Sequence, residues 1–365
     1  MHQAHSLEQG RSLGNAGGQT PLSGARVPVA PPVGIVIANY NNASFIGDAI
    51  GSAARQTVRD IKVIIVDDAS TDQSDRVIRQ YLSNLNDTRF RYVRLEANVG
   101  QGGAIRRGLA EMNTPLVCFL DSDDVWYEHF VERHVSAHMN ADFPVALTFC
   151  DSHIIDSPGR LAAGTAWWFD YIYDPPNRTI DPLHIPSVDP NTGKLTYPSN
   201  KTMTLHGRWS IDVATNSMAS MMFRRSFVDL VLTPPDEDLR LFVDFYLSTF
   251  AWLLTGAIAI HEVLYAYRMH GDNNHSNGTV LGGTYNSSAT SWGPKRDSVL
   301  RLIDSVFHKN ADTLRAAFGD FHYSQAEAAL RAALRPKRSA ALRRLLATAG
   351  AKLSKRRDPE TSRPR

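Results

Sequence analysis

The sequence is poor in cysteine and has no long apolar run. Its two cysteines, Cys118 and Cys150, lie inside short apolar segments typical of buried strands, where a reduced thiol packs as a small hydrophobic group. No stretch approaches the roughly 20 apolar residues of a membrane-spanning helix, and the N-terminus lacks an apolar signal core. These absences argue against a membrane span, and we expect a cytoplasmic protein.

Net charge is also small, but it is unevenly distributed. The 39 basic and 37 acidic residues give a formal net charge of +2. Residues 331–365 hold twelve of the basic and two of the acidic residues, which leaves 27 basic and 35 acidic residues in the rest of the chain. A basic tail of this kind can contact nucleic acid, anionic lipid or only water.

Short apolar segments alternate with helical patterns in the first half of the chain. The segments cover residues 33–38, 63–66, 90–95 and 116–120. Such alternation predicts a parallel sheet with helices on both faces, and ligands of such sheets bind beyond the carboxyl ends of the strands. Ser70, followed three residues later by Gln73, predicts a capping box at the start of the second helix. Residues 1–32 have no apolar period, and we interpret them as a disordered leader.

The fourth apolar segment runs directly into Asp121, Asp123 and Asp124. Carboxylates at a strand end can face one hard cation, although Asp-Ser-Asp is also common in turns. Polar loops follow the other three strands and are predicted to meet this turn at one edge of the sheet; they carry Tyr40, Asp68 and Gly100. Their convergence favours a ligand and metal site over a simple turn.

The glycine-rich segment 100–103 does not fit a dinucleotide-binding fingerprint. It follows the third strand rather than the first, and it lacks the G-x-G-x-x-G order. No acidic residue follows it at the usual distance on a strand end. We therefore do not expect a nicotinamide cofactor.

Four ordered motifs make the sequence similar to glycosyltransferase family 2, whose inverting enzymes have the GT-A fold. The motifs are VIANYN at 36–41, VDDASTD at 66–72, NVG at 98–100 with Ala104 and Gly108, and FLDSDD at 119–124. The resemblance covers about 33–275. It implies an α/β fold with a Rossmann-like, mixed nucleotide-binding sheet that has helices on both faces. One departure is Ile105-Arg106, which stands where the family often has Arg-Asn.

The resemblance also implies how a nucleotide would be bound. Ala38, Tyr40 and Asp68 match positions that hold the base, with Tyr40 stacking on it and Asp68 accepting its imide hydrogen. Gly100 belongs to the third nucleotide-binding motif, and Asp121 matches a residue near the ribose and the metal.

A divalent cation is implied by the same resemblance. Asp123 matches the direct ligand of Mn2+ or Mg2+, with Asp121 as its partner. His270, in the segment Tyr-Arg-x-His, matches a position that can contact the metal or the diphosphate. The leaving group is a nucleoside diphosphate, whose charge a hard cation would neutralise.

An inverting transfer also needs a base for the acceptor hydroxyl. The family places an acidic pair about a dozen residues before a helix-ending glycine, which is Gly256 here. Measured from Gly256, the base is Asp244, and Val243 replaces the customary Glu. Asp238, of the literal Glu237-Asp238 pair, is the second choice.

These residues predict a metal-dependent, inverting, hexosyltransferase-like enzyme that acts in polysaccharide biosynthesis. Its donor would be a nucleoside-diphosphate sugar, and its acceptor a hydroxyl of a glycan or a lipid-linked glycan. Arg208-Trp209 lacks the Gln of the processive Q-x-x-R-W signature, so we expect non-processive transfer. Because Val243 replaces the customary Glu, a catalytically inactive binding module on the same fold is an alternative. A sugar nucleotidyltransferase would need a glycine-rich, basic loop after the first strand, and residues 39–42 provide neither feature.

The catalytic domain is predicted to span 33–275, with a nucleotide-sugar half at 33–150 and an acceptor and base half at 216–275. The insertion at 156–215 is rich in aromatic residues that could stack on sugar or cover the site. Residues 295–365 are predicted to form a basic helical extension. Its apolar stripe at 342–353 fits either a peripheral contact with the inner face of the membrane or packing on the domain. We expect no nucleic-acid partner.

Overall fold

The computed structural model describes residues 29–141, 145–164, 187–188, 195–196, 203–211, 217–270, 273 and 292–335. Residues 1–28 of the predicted leader, most of the predicted insertion and the apolar stripe at 342–353 lie outside the described residues. The boundaries predicted for the leader, the insertion and the extension therefore stay predictions.

Twelve strands and nine helices are described. The strands are β1 Val33–Asn39, β2 Ile61–Asp67, β3 Phe90–Arg94, β4 Leu116–Asp121, β5 Val125–Trp126, β6 Leu147–Asp156, β7 Leu161–Ala163, β8 Ser187–Val188, β9 Leu195–Thr196, β10 Met203–His206, β11 Met221–Arg224 and β12 Ala257–Met269. The helices are α1 Ile46–Ala54, α2 Ser74–Leu85, α3 Gly100–Ala110, α4 Phe130–Asn140, α5 Arg225–Val231, α6 Val243–Leu254, α7 Trp292–Lys309, α8 Ala311–Phe318 and α9 Asp320–Leu334. A 3-10 turn, Met218–Ser220, precedes β11.

One large mixed sheet organises these elements. Its main strand order is β10-β12-β6-β11-β4-β1-β2-β3. The four strands β3, β2, β1 and β4 are parallel, as the β-α alternation predicts. β11 runs antiparallel to both of its neighbours, β4 and β6, and makes the sheet mixed. The predicted GT-A fold class is confirmed.

The central strands are buried on both faces because helices cover both sides of the sheet. Val36 and Val66 pack with α3, α6 and the C-terminal helices on one face. Ile35, Ile37 and Ile65 pack with α1, α2 and α4 on the other. Burial on both faces explains why these strands read as continuous apolar runs rather than as an alternation.

The predicted capping box at the second helix is wrong. Helix α2 begins at Ser74, and its N-cap residue Gln73 makes no side-chain capping bond. Asp72 Oδ1 instead accepts the Ser74 N–H at 2.9 Å. Ser70 is occupied elsewhere, because its hydroxyl donates to Asp67 at the end of β2.

Strand β12 is much longer than the apolar run that predicted it. The run 257–260 is interrupted by His261 and Glu262, yet the strand continues to Met269 with register shifts against β6 around Val263. Its second half also pairs with β5. This extension carries the chain to His270 at the edge where β4 ends.

Helices α7 to α9 follow the strands of the large sheet in the chain and contribute to the core beside α6, through residues that include Leu300, Phe307 and Leu330. Within the described ranges, no helix has the length and apolarity needed to cross a membrane.

Candidate functional site

The loops that follow β1 and β2 are joined by a buried polar network. Asn39 Nδ2 donates to Asp67 Oδ1 at 2.9 Å and to Ser70 Oγ at 3.2 Å. Ser70 Oγ also accepts the Asn41 N–H at 2.9 Å. Asp67 is fully buried, and the Arg94 guanidinium lies 3.7 Å from its second oxygen. Hydrogen bonds within the protein therefore fix the shape of both loops.

Tyr40 and Asp68 lie on these two loops. The side chain of Tyr40 is exposed, with the residue 48% accessible. Asp68 is buried and accepts the N–H groups of Val99 and Gly100 at 2.7 and 2.8 Å. It thus lies at the positive N-terminus of α3. Burial raises the pKa of Asp68, although these two N–H groups oppose the shift.

The carboxyl end of β4 presents Asp121, which lies in register with Ala38 of β1. Gln101 Nε2, from the first turn of α3, donates to Asp121 Oδ1 at 3.1 Å. The backbone of Ala219, in the 3-10 turn before β11, lies near the same carboxylate and acts to lower its pKa. Asp121 is thus surrounded by β1, the start of α3 and the 3-10 turn, and Gln101 fixes one of its oxygens.

The pKa of Asp121 is raised, first by burial and then by the negative charges of Asp123 and Asp244. A charge–charge effect of this kind indicates that both carboxylates lie near Asp121, and Val243, the residue before Asp244, lies beside Gly102, which follows Gln101. The structure therefore brings the predicted metal residues and the predicted base to one place.

Asp123 contacts the residues that follow β12. His270 Nε2 lies 2.9 Å from Asp123 Oδ2, and the His270 ring packs against Phe45 with centroids 4.8 Å apart. Asn273 Nδ2 lies 3.5 Å from the same carboxylate oxygen. The long β12 is what makes this pairing possible across 147 residues of sequence.

Asp124 has a different environment. Its Oδ1 accepts the Arg268 N–H at 2.8 Å. Its Oδ2 is buried and has no hydrogen-bond partner among the described residues. Burial and the two neighbouring aspartates raise its pKa. Asp124 is therefore tied to the fold, while Asp121 and Asp123 face the shared site.

Arg268 is a link between several segments around this turn. It is 3% exposed. Its Nε donates to the Asp123 carbonyl, its Nη1 to the Ser157 carbonyl and its Nη2 to Asp48 of α1, each at 2.8 Å. The sequence motif contained Arg268, but nothing in the sequence identified these partners, which are 111 to 220 residues away.

The donors at this edge fit a divalent cation that shares its coordination with a substrate. In the described part of the chain, no three His, Cys, Asp or Glu side chains form a ready-made metal cluster. Mg2+ is commonly held by one or two carboxylates together with substrate phosphates and water. Asp121 and Asp123 supply two such carboxylates, and burial together with the neighbouring carboxylates raises the pKa of Asp121.

Asp244 and Asp238 are placed very differently. Asp244 lies in the first turn of α6, within electrostatic reach of Asp121, and burial raises its pKa. Asp238 lies on the exposed segment that precedes this helix. Val243, the residue that stands in for the customary Glu, is fully buried in the apolar core.

The glycine-rich start of α3 has a packing role that the sequence did not reveal. A Cβ on Gly102 would come within 2.0 Å of the Leu239 carbonyl oxygen. Gly100 has a φ of +82°, and a Cβ there would meet the Arg240 carbonyl at 2.8 Å. These glycines allow the chain before α6 to lie directly on the backbone of α3.

Comparison with solved structures finds similar chains of low sequence identity. The crystal structure of S. aureus TarS 1-349 in complex with UDP-GlcNAc has a TM-score of 0.48 and 16% identity, over 80% of this chain and 73% of that one.

Comparison with curated proteins finds relatives of higher identity. A glycosyltransferase of Nostoc sp. is 30% identical over 243 residues, which is 67% of this chain and 66% of that protein. The putative teichuronic acid biosynthesis glycosyltransferase TuaG of Bacillus subtilis is 32% identical over 118 residues, or 32% of this chain and 46% of that one. The matches thus span less than two thirds of either relative.

The glycosyl transferase family 2 model matches residues 34–229. This range contains the four motifs and the turn that bears Asp121 and Asp123. Since it covers more than half of the 365 residues, the chain belongs to glycosyl transferase family 2.

Proposed function

We propose that the protein transfers a sugar, with inversion, from a nucleoside-diphosphate sugar to a hydroxyl of a glycan or lipid-linked glycan. One observation carries the proposal: Asp121 is within electrostatic reach of both Asp123 and Asp244. A group suited to the leaving diphosphate and a group suited to the acceptor hydroxyl thus share one edge of the sheet. The name of TuaG supports a polysaccharide acceptor. A non-processive reaction in the cytoplasm remains part of the proposal.

The donor nucleotide would bind beside the loops after β1 and β2. Tyr40 is exposed and free to present its ring to a base. Asp68 uses one lone pair of each oxygen for α3, and each carboxylate oxygen has another available. Ala38 lies between these loops and Asp121, since it pairs in register with β4.

Asp121, Asp123 and His270 would hold Mn2+ or Mg2+ together with the diphosphate. When bound, the cation supplies neutralisation of the charge that develops as the glycosidic bond breaks. Gln101 orients Asp121 for this role.

Asp244 would take the proton of the acceptor hydroxyl as that oxygen attacks the sugar. Its pKa is raised by burial, and a base works best when its pKa approaches the operating pH. Val243 cannot serve in its place because its side chain is apolar and points into the core. Transfer therefore requires Asp244 in its ionised form.

A panel of nucleotide sugars tests the proposal. The full chain is mixed with UDP-, GDP-, dTDP- and CDP-linked sugars, each with and without Mn2+, and thermal stability and donor hydrolysis are followed. A true donor should raise the melting temperature, because it binds the folded state alone, and should be hydrolysed slowly. No stabilisation by any member of the panel would contradict the proposal.

A further inference from the structure

The segment that precedes α6 ends directly at the proposed base. We call residues 236–242 the strap. Its last residue, Phe242, has a φ of 64°, so the chain enters α6 through a left-handed turn. Asp244 follows two residues later in the first helical turn. The position of its carboxylate therefore depends on where the strap lies.

The strap rests on the backbone of α3. The Gly102 N–H donates to the Arg240 carbonyl at 3.4 Å, and the Leu239 carbonyl occupies the space that a Gly102 side chain would need. Arg240 Nη2 also donates to the Asn98 carbonyl at 3.3 Å, just before α3 begins. These contacts place the strap close to α3 along its length.

One side-chain pair fastens the far end of the strap. Arg106, one turn after Gly102 on α3, donates from Nε to Asp236 Oδ1 at 2.8 Å, and its Nη2 contacts the same oxygen. The two side chains are 24% and 42% exposed. Arg107, the next residue, is exposed on the same helix and provides a matched comparison.

We propose that Arg106 and Asp236 are positioning residues for Asp244, acting through the strap. The inference rests on the proposed role of Asp244. Helix α3 also carries Gln101, which holds Asp121. The Arg106–Asp236 pair therefore fixes the base against the same helix that orients the metal-side carboxylate.

The effect on rate should exceed the effect on stability. A partly exposed ion pair contributes little to the free energy of unfolding. A displacement of a catalytic group by about 1 Å can lower the rate on the order of 100-fold. A residue that only stabilised the fold would show the opposite balance.

The test compares Arg106→Gln and Asp236→Asn with the control Arg107→Gln, using the donor that turns over in the nucleotide-sugar panel. We expect kcat to fall roughly 10-fold in the first two variants, with the KM for the donor within about twofold of wild type. The charge-reversed pair, Arg106→Asp with Asp236→Arg, should recover at least half of the lost kcat on a logarithmic scale.

Hydrogen exchange provides a readout that needs no substrate. The backbone amides of residues 238–246 should exchange faster in Arg106→Gln and Asp236→Asn than in wild type. Their exchange rates should be unchanged in Arg107→Gln. Unchanged exchange and kcat in the first two variants, or equal losses in Arg107→Gln, would overturn the inference. Failure of the whole nucleotide panel would instead remove the proposed function, and the exchange result would still decide whether the pair fixes the strap.

Discussion

The two sides of the site are held by different kinds of contact. On the side proposed to bind the nucleotide, Asn39, Asp67 and Ser70 form a buried hydrogen-bonded network. On the side that carries the proposed base Asp244, the strap is held by backbone packing and by the partly exposed Arg106–Asp236 pair. Buried polar groups are costly to leave unpaired, whereas exposed ion pairs are not. Damage to the first side should therefore appear as lost stability, and damage to the second as lost rate.

The largest effect is expected from Asp244→Asn. The amide cannot accept the acceptor proton, so kcat should fall on the order of 1000-fold, while nucleotide affinity stays within about twofold. The melting temperature should not fall, because a buried carboxylate with a raised pKa is itself unfavourable in its charged form. Single-turnover kinetics and calorimetry measure these quantities.

The exposed Asp238 gives the matched comparison for this experiment. Asp238→Asn should leave kcat within about threefold of wild type, because its side chain lies outside the cluster formed by Asp121, Asp123 and Asp244. An equal loss in Asp238→Asn alone would assign the base to that residue. Wild-type nucleotide binding without any turnover would identify a binding module.

Asn39→Ala should have the next largest effect, and it should act on stability. The substitution removes the two hydrogen bonds that Asn39 donates to buried Asp67 and Ser70. This loss should lower the free energy of unfolding by about 2–3 kcal/mol. Urea denaturation at pH 7 measures the loss. Asn140→Ala, on the exposed end of α4, is the control and should cost under about 1 kcal/mol. A loss of that size in Asn39→Ala would contradict the contrast between the two sides.

The pH dependence of kcat tests the base side separately. Burial raises the pKa of Asp244 above its ordinary value of 3.8, and only the ionised form accepts a proton. The rate should therefore fall as pH falls through this raised pKa, by about tenfold for each further pH unit. A profile with its acid limb at the pKa of an exposed aspartate would show that Asp244 is not the titrating base.

The smallest effect is expected at His308, where α7 meets α9. It tests how little a partly exposed pair contributes to the free energy of unfolding. His308 Nδ1 lies 2.8 Å from the Asp304 carbonyl and Nε2 lies 3.2 Å from Glu327. The Asp304 contact, followed by Glu327, raises the His308 pKa. The protonated form is thus favoured by folding, so its stabilisation is full below the unfolded pKa and is lost as pH rises through the folded pKa.

His308→Gln measures this contribution. Because the side chain is 47% exposed, solvent screening should limit the difference from wild type to about 0.5 kcal/mol. Urea unfolding at pH 5.5 and 8.5 should show the larger difference at the lower pH. A larger difference at pH 8.5 would reverse the assigned sign.

The same contrast explains which features could be predicted from sequence. The β-α units of the first half follow from local periodicity, and parallel topology then brings Tyr40, Asp68 and Asp121 to one edge. The second half depends on contacts between distant segments. The polar pair His261-Glu262 hid most of β12, and the partners of Arg268 lie far along the chain.

The strap was also beyond sequence reasoning. The glycine-rich segment 100–103 did not reveal its packing partner, which for Gly102 is the Leu239 carbonyl. The error at Ser70 has a similar cause. The spacing of Ser70 to Gln73 fits a local helix cap, but the Ser70 hydroxyl donates to the buried Asp67 carboxylate instead.

The most direct test of the account is calorimetric titration of the full chain with UDP, GDP, dTDP and CDP, in Mn2+ and in EDTA. The central claim is that Asp123 helps to bind a nucleoside diphosphate through a cation. We expect at least one nucleotide to bind in Mn2+, and its affinity to fall at least 10-fold both in EDTA and in Asp123→Asn. Equal binding under all three conditions, or no binding of any nucleotide, would contradict the account.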